Sequence, residues 1–354
     1  MAQKRTFVIL AAALLLLLAA TGVWNGYRVR RDTPVVGTSF LMDTFVEYKL
    51  YGEKAQEAKD AIEAALRGIE DTMSMYIKDS EISRLNENAG KEPVAVSEDT
   101  YALLARCKGF GELSGGLFDV TVAPLAAEWG ITGLHPKVPA AGKIEELLKL
   151  VGYSEIQLGA DGKGGYTAML SREGQAVDVG GVAKGYACDV ARRVAQDYGI
   201  TSGYISIGGN LMVIGEKPDG EPFRFGVRDP RGPENQFLAV VSLPDSTMAT
   251  SGDYERFFEQ DGVRYHHILD PRTGYPAESD LMSVSVVSPD GAYADFMSTY
   301  LFISGRDFVL ENLDTLECGI IAVDRDKNIY VSESLRAQFQ PADSTGGYRF
   351  EVAS

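Results

Sequence analysis

Residues 178–186 read Asp-Val-Gly-Gly-Val-Ala-Lys-Gly-Tyr. The apolar residues before the glycine pair predict a strand over 176–179. The spacing after it predicts a helix from Val182 to Tyr198, stopped by Gly199. A helix start offers free N–H groups and the positive end of the helix dipole, and glycine lets a ligand approach the backbone. Lys184 then falls in the first helical turn, where its charge opposes the dipole. A bound anion would remove that cost, which points to a phosphate site. A tight turn with a solvated lysine explains the same residues, and this segment alone leaves both open. It has neither a Walker A pattern nor the order Gly-x-Gly-x-x-Gly.

Downstream, a strand over 203–207 ends in Gly208-Gly209-Asn210, and further strands are expected over 223–227, 238–243, 264–269 and 282–287. A helix is expected over 292–303, and a hairpin over 319–331 that turns at Asp326-Lys327. Upstream, 40–50 reads as one strand. Ala58, Ile62, Ala65, Leu66, Ile69 and Met73 give 54–73 the spacing of a one-faced helix. A helix over 97–113 opens on Ser97 as its N-cap, and a short one spans 143–150. Many strands interleaved with few helices indicate an α+β fold with mixed or antiparallel sheets and packed helices. The body is expected over 35–335, with 1–34 as anchor and linker and 336–354 as a tail.

The chain has 354 residues and a net charge of −16. So acidic a protein is a poor ligand for nucleic acid and repels polyphosphates at long range, so any phosphate site must be built locally. Cys107, Cys188 and Cys318 lack metal-type spacing and read as small buried hydrophobes. Lys4 and Arg5 precede an apolar run over 7–20, and Arg28, Arg30 and Arg31 follow it. That is a Sec-type signal, open to cleavage or to retention as an anchor, with the retained anchor favoured and the body on the extracytoplasmic side.

Three further groups carry candidate chemistry. Asp295 and Thr299 share a helix face, and a carboxylate with a hydroxyl suits a hard cation such as Mg2+. A local hydrogen bond or a capped surface Asp is the more common case for such a pair taken alone. His266 and His267 are two of only three histidines, and in a strand only one of them can face a site. A neutral histidine is a suitable base for a hydroxyl, although one core and one solvated histidine is the plainer reading. Asp270-Pro271-Arg272-Thr273-Gly274 reads as a turn that leaves Arg272 free to meet a phosphate. Serine-hydrolase and zinc-protease signatures are absent from the sequence.

Taken together, the chain resembles the ApbE family of FAD:protein FMN transferases. The resemblance rests on eight motifs in order: Met-Asp-Thr (42–44), Met-Ser-Met-Tyr (73–76), Phe-Asp-Val-Thr-Val-Ala-Pro-Leu (118–125), the 178–186 segment, Gly-Gly-Asn (208–210), Thr-Ser-Gly-Asp-Tyr (250–254), His-His-Ile-Leu-Asp-Pro-Arg-Thr-Gly (266–274) and Ala-Asp-x-x-Ser-Thr (294–299). It implies an α+β fold with FAD in a cleft between lobes, lined by Met42, Tyr76, Leu117, Phe118, Asp119, Asp178, Lys184 and Ile268. It implies Mg2+ on Asp295 and Thr299 with Gly181 and Ser298 nearby, His267 as general base, and Lys184 and Asp295 as further catalytic groups. The implied partners are FAD and flavin-carrying subunits of membrane redox complexes. The lipoprotein cysteine common in the family is missing, and Gly181 replaces a side chain that some members place beside the metal. A Mg2+-dependent FAD pyrophosphatase and a non-enzymatic flavin carrier stay open beside the transferase.

Overall fold

The computed structural model describes residues 32–233, 235–342 and 346–352; the apolar run over 7–20 lies outside them. The strand expected over 40–50 is a hairpin, β1 (Val35–Leu41) with β2 (Thr44–Tyr51), paired from Val35↔Leu50 to Leu41↔Thr44. Met42 and Asp43 turn it, both with left-handed backbone (φ 53° and 56°). Turns of this hand match the twist of a hairpin but favour Gly or Asn, so Met-Asp gives no sequence signal. Helix α1 (Ala55–Met73) buries Ala58, Ile62, Leu66, Ile69 and Met73, close to the expected set.

Next come α2 (Glu81–Glu87), β3 (Val94–Val96) and α3 (Glu98–Leu113). The Ser97 hydroxyl accepts from Thr100 N–H and caps α3 as expected; Ser80 does the same for α2 through Ser83 N–H. After α4 (Ala123–Trp129) and α5 (Ala141–Leu148), β4 (Ile156–Ala160) and β5 (Tyr166–Leu170) join β3 in a three-stranded sheet. Residues 176–179 join no sheet, contrary to the strand expected there, and Val179 already leaves the extended region (φ −88°, ψ 5°). The Asn86 side chain takes the place of a neighbouring strand: Oδ1 accepts from Val177 N–H (2.8 Å) and Nδ2 donates to Val177 O (3.0 Å).

Helix α6 (Gly180–Asp197) follows, with Gly199 at φ 74° just beyond its end. Then come β6 (Ser202–Ile207), β7 (Asn210–Ile214), β8 (Phe223–Arg228), β9 (Phe237–Leu243), β10 (Thr247–Gly252), β11 (Phe257–Gln260), β12 (Val263–His266) and β13 (Leu281–Ser288). Helices α7 (Gly291–Ser304) and α8 (Arg306–Asn312) precede β14 (Gly319–Asp324), β15 (Asn328–Val331), β16 (Phe339–Pro341) and β17 (Arg349–Val352). The main sheet has nine strands in the order β1-β2-β6-β7-β10-β13-β14-β15-β17, and only β15–β17 is parallel.

Helices α1, α6 and α7 bury one face of this sheet; the sheet β16-β9-β8 covers part of the other, around Leu211, Val213, Leu238 and Val241. A central strand covered on both faces loses the polar alternation, and every residue of β7 and β13 is buried. The segment set apart as a tail supplies β16 and β17, and Tyr348 is buried with its hydroxyl donating to Asp229 at 2.7 Å. The three cysteines are buried and unpaired. No helix among the described residues is long and apolar enough to cross a membrane.

One ion pair holds the end of β10. The buried carboxylate of Asp253 takes both Arg231 Nη groups at 2.7 and 2.6 Å. Arg231→Ala leaves that carboxylate only Arg325, at 3.8 Å. The expected loss is about 2–3 kcal/mol, reduced from the fully buried case because Arg231 is partly exposed. Urea unfolding of the variant checks it.

Candidate active site

The site is built where α6 crosses α7. A Cβ on Gly185 would lie 2.1 Å from Gly291 O, and one on Gly291 would lie 2.4 Å from Gly185 O. Only two glycines permit so close a crossing. It brings Asp295 onto α6, where its Oδ2 accepts from Gly185 N–H at 2.9 Å across 110 residues of sequence. Asp189, one turn further along α6, accepts from Gly291 and Ala292 N–H (2.6 and 3.0 Å) and so caps the start of α7.

Asp295 is buried, and desolvation raises its pKa; the Lys184 charge, the nearby Asn210 amide and the hydrogen bond from Gly185 N–H oppose the rise. One turn on, Ser251 Oγ lies 2.8 Å from Ser298 Oγ and 3.0 Å from Thr299 Oγ1. Asp295, Ser298, Thr299 and Ser251 thus form one oxygen-rich patch. Gly181 precedes Gly185 by one turn of α6, where an added Cβ would meet the Phe118 ring at 3.2 Å. Among the described residues no group of three or more His, Cys, Asp or Glu could hold a metal, so any ion here rests on one carboxylate supplemented by hydroxyl and backbone oxygens. That donor set suits a hard cation that keeps some of its water, and a buried carboxylate with a raised pKa would gain from one.

Helix α6 begins at Gly180, so Lys184 lies in the second turn rather than the first. Its Nζ is 3.5 Å from Gly208 O, and its charge acts on both Asp295 and His267. The histidine pair divides as a strand requires. His266 is buried with Nε2 3.1 Å from Ala277 O, while His267, just past β12, faces Lys184. His267 Nδ1 is 3.3 Å from Arg256 O. A proton on Nδ1 donated to that carbonyl leaves the Nε2 lone pair free. His267 keeps some contact with solvent, yet burial of its ring, and then the charges of Lys184, His266 and Arg256, push its pKa down to about 3.

The sign of that shift can be tested. The folded state holds His267 neutral where the unfolded chain, with an ordinary histidine pKa of ~6.5, takes up a proton. The stability it confers is complete above that value and is lost as pH falls from there toward about 3. By proton NMR the His267 ring is expected not to titrate between about pH 5 and 8. In His267→Gln the acid limb of the stability curve should be shallower.

The residues expected to line a flavin separate by exposure. Tyr76 is exposed, and Met42, Leu117 and Asp178 are partly exposed, whereas Phe118, Asp119 and Ile268 are buried. Phe118 packs edge-on to Phe296 (5.2 Å). Asp119 accepts from Thr121 N–H (2.8 Å), the Thr121 hydroxyl (2.6 Å) and Tyr153 N–H (2.8 Å), which commits its carboxylate to the fold. Desolvation raises the Asp178 carboxyl, against the Gly180 N–H bond and the Arg256 charge. Tyr76 is also raised, by burial of its hydroxyl end and then by Asp178.

Arg272, expected to be free, has its guanidinium on Asp270 (Nη2–Oδ2 2.7 Å, Nε–Oδ1 3.0 Å). Arg256 takes the expected place instead, with its charge felt at Asp178, Tyr76 and His267. No spacing singled out Arg256, and Ser251 lay in the Thr-Ser-Gly-Asp-Tyr motif without a role. Asn210 had a signal, the Gly-Gly-Asn turn, but was given no role. It is buried beside Asp295, yet neither atom of its carboxamide has a hydrogen-bond partner of ordinary geometry. A buried amide left this way fits a group that binds or positions a ligand. A hollow of about 780 Å3 opens on the other side of β12, bordered by Arg231, Asp253, His266 and Asp280. Lys184, His267 and Asp295 do not border it.

A sequence model of the ApbE family matches residues 42–323. The chain belongs to the ApbE family. It is 34% identical over 281 residues to the FAD:protein FMN transferase of Treponema pallidum, covering 75% of this chain and 78% of that one. It is 31% identical over 314 residues to that of Klebsiella pneumoniae, covering 88% and 95%. Among solved structures, the ApbE protein of Thermotoga maritima superposes with a TM-score of 0.79 at 35% identity, covering 86% of this chain and 99% of that one. The flavin transferase ApbE of Vibrio cholerae gives 0.76 at 28% identity, covering the same shares. The expected α+β fold is the ApbE fold.

Proposed function

We infer that the chain is an FAD:protein FMN transferase, which splits FAD and joins the FMN phosphate to a Thr or Ser hydroxyl of a target flavoprotein, releasing AMP. The observation that carries this reading is the convergence of Lys184, Asp295 and His267 at the α6–α7 crossing, in a chain whose relatives bear that name. Asp295, Thr299 and Ser298, with backbone near Gly181, would hold Mg2+, which when bound offsets charge that builds on the diphosphate. Lys184 and the N–H groups at the start of α6 hold phosphate oxygens. His267 Nε2 takes the proton of the acceptor hydroxyl, whose oxygen attacks the FMN phosphorus as the bond to the AMP oxygen breaks. Both macromolecules would meet outside the cytoplasm, with residues 7–20 as the membrane anchor and subunits of membrane redox complexes as targets.

The deciding experiment incubates the protein with FAD, Mg2+ and an acceptor domain and weighs the acceptor intact. A Mg2+-dependent gain of one FMN phosphoryl unit is expected. FAD cleaved to FMN and AMP with no gain on the acceptor would replace the transferase by a hydrolase. Intact FAD would leave a flavin-binding protein.

A further inference from the structure

Apolar side chains left in water are informative when they cluster. The five most exposed large ones among the described residues are Leu134 (92%), Tyr76 (72%), Val36 (69%), Phe45 (67%) and Phe40 (60%). Phe40 and Phe45 are direct cross-strand neighbours next to the Met42–Asp43 turn, with ring centroids 5.5 Å apart and planes at 79°. They stand on the outward face of the hairpin, with Val36 further along β1.

That turn adjoins the site. Gly208 N–H donates to Phe45 O at 3.1 Å, and Gly208 O is the Lys184 neighbour described above. Tyr76 is near enough to Thr132 and to Asp43 for both to act on its hydroxyl. Leu134 is two residues further along that loop. Among the described residues β1 is also the terminal strand of the nine-stranded sheet, with no strand paired to its outer edge. An open edge beside exposed aromatics favours a contact surface.

We propose that Phe40 and Phe45 on the hairpin, with the exposed Leu134 beyond Thr132 as an outlying member, form the surface on which the acceptor flavoprotein docks to present its hydroxyl to His267. The proposal rests on the transferase reading, since only then is the second substrate a protein that must cross this rim. The charges beside the patch disfavour other occupants. Asp43 and Glu47, on a chain of net charge −16, would be pressed into anionic headgroups by a membrane. In a two-fold contact between copies they would face their own kind. The fitting partner is a folded protein that offers a Ser or Thr on an exposed loop with apolar surface around it.

The test uses the full chain carrying F40S with F45S, and separately L134S. Initial rates of FMN attachment are measured against acceptor concentration at saturating FAD. FAD affinity and acceptor-independent FAD cleavage are measured in parallel. The acceptor KM is expected to rise about tenfold or more while kcat changes by less than about twofold and the FAD readouts stay at the wild-type level. An unchanged acceptor KM in both variants overturns the proposal, whether or not vesicle binding or self-association is lost. FAD affinity falling in step with transfer also overturns it, by placing these residues in the flavin site. If the wild-type protein cleaves FAD but modifies no acceptor, the transferase reading fails instead.

Discussion

Asp295→Asn is expected to lower FMN transfer by about 10²–10³-fold with little change in stability. The carboxamide keeps the shape of the side chain and can still accept from Gly185 N–H, so the α6–α7 contact survives. What goes is the negative charge at the centre of the oxygen-rich patch, and with it the affinity for Mg2+. Rates by acceptor mass gain and Mg2+ affinity by calorimetry should fall together. Full activity in this variant would remove the carboxylate from the mechanism. Loss of activity with Mg2+ affinity intact would give Asp295 a role other than holding the metal.

The largest stability effect is expected at Gly185. Gly185→Ala places a methyl carbon 2.1 Å from a backbone oxygen and 2.7 Å from Asp295 Cβ, both on a packed helix that has nowhere to move. A loss of about 3 kcal/mol or more is expected as the two helices are forced apart. Gly68→Ala is the control. It lies within α1, and an added Cβ meets nothing within 4 Å. There the usual helix preference for alanine should stabilise by about 0.5–1 kcal/mol. Denaturant midpoints of the two variants should move in opposite directions. A Gly185→Ala protein as stable as the parent would mean that the crossing can open without cost.

How far the site was legible varies by residue. Strand alternation said only that one of His266 and His267 could face a site; the choice of His267 came from the resemblance, and the structure buries His266. Asp295 and Thr299 were paired by helical spacing, and α7 carries both four residues apart, with Thr299 bonded to Ser251. Arg272 was misjudged because its partner, Asp270, is only two residues away, and nothing in the spelling of a turn tells a free arginine from a clasped one. Arg256 was invisible for the opposite reason: its neighbours Asp178 and Tyr76 are distant in sequence.

The sequence by itself determined what depends on backbone periodicity and local hydrogen bonds. The buried stripe of α1, the Ser97 cap, the Gly208-Gly209 turn and the order of motifs that marks the ApbE family are of this kind. Only the tertiary structure decided that 40–50 folds back at Met42–Asp43, that 176–179 is held by an asparagine side chain, and that 349–352 closes the main sheet. It also decided that the Lys184 charge acts on both Asp295 and His267. Local patterns come from dihedral preferences that each residue carries with it. Their assembly comes from two glycines at a helix crossing and a sheet covered on both faces, contacts between segments far apart in the chain that no window of sequence contains.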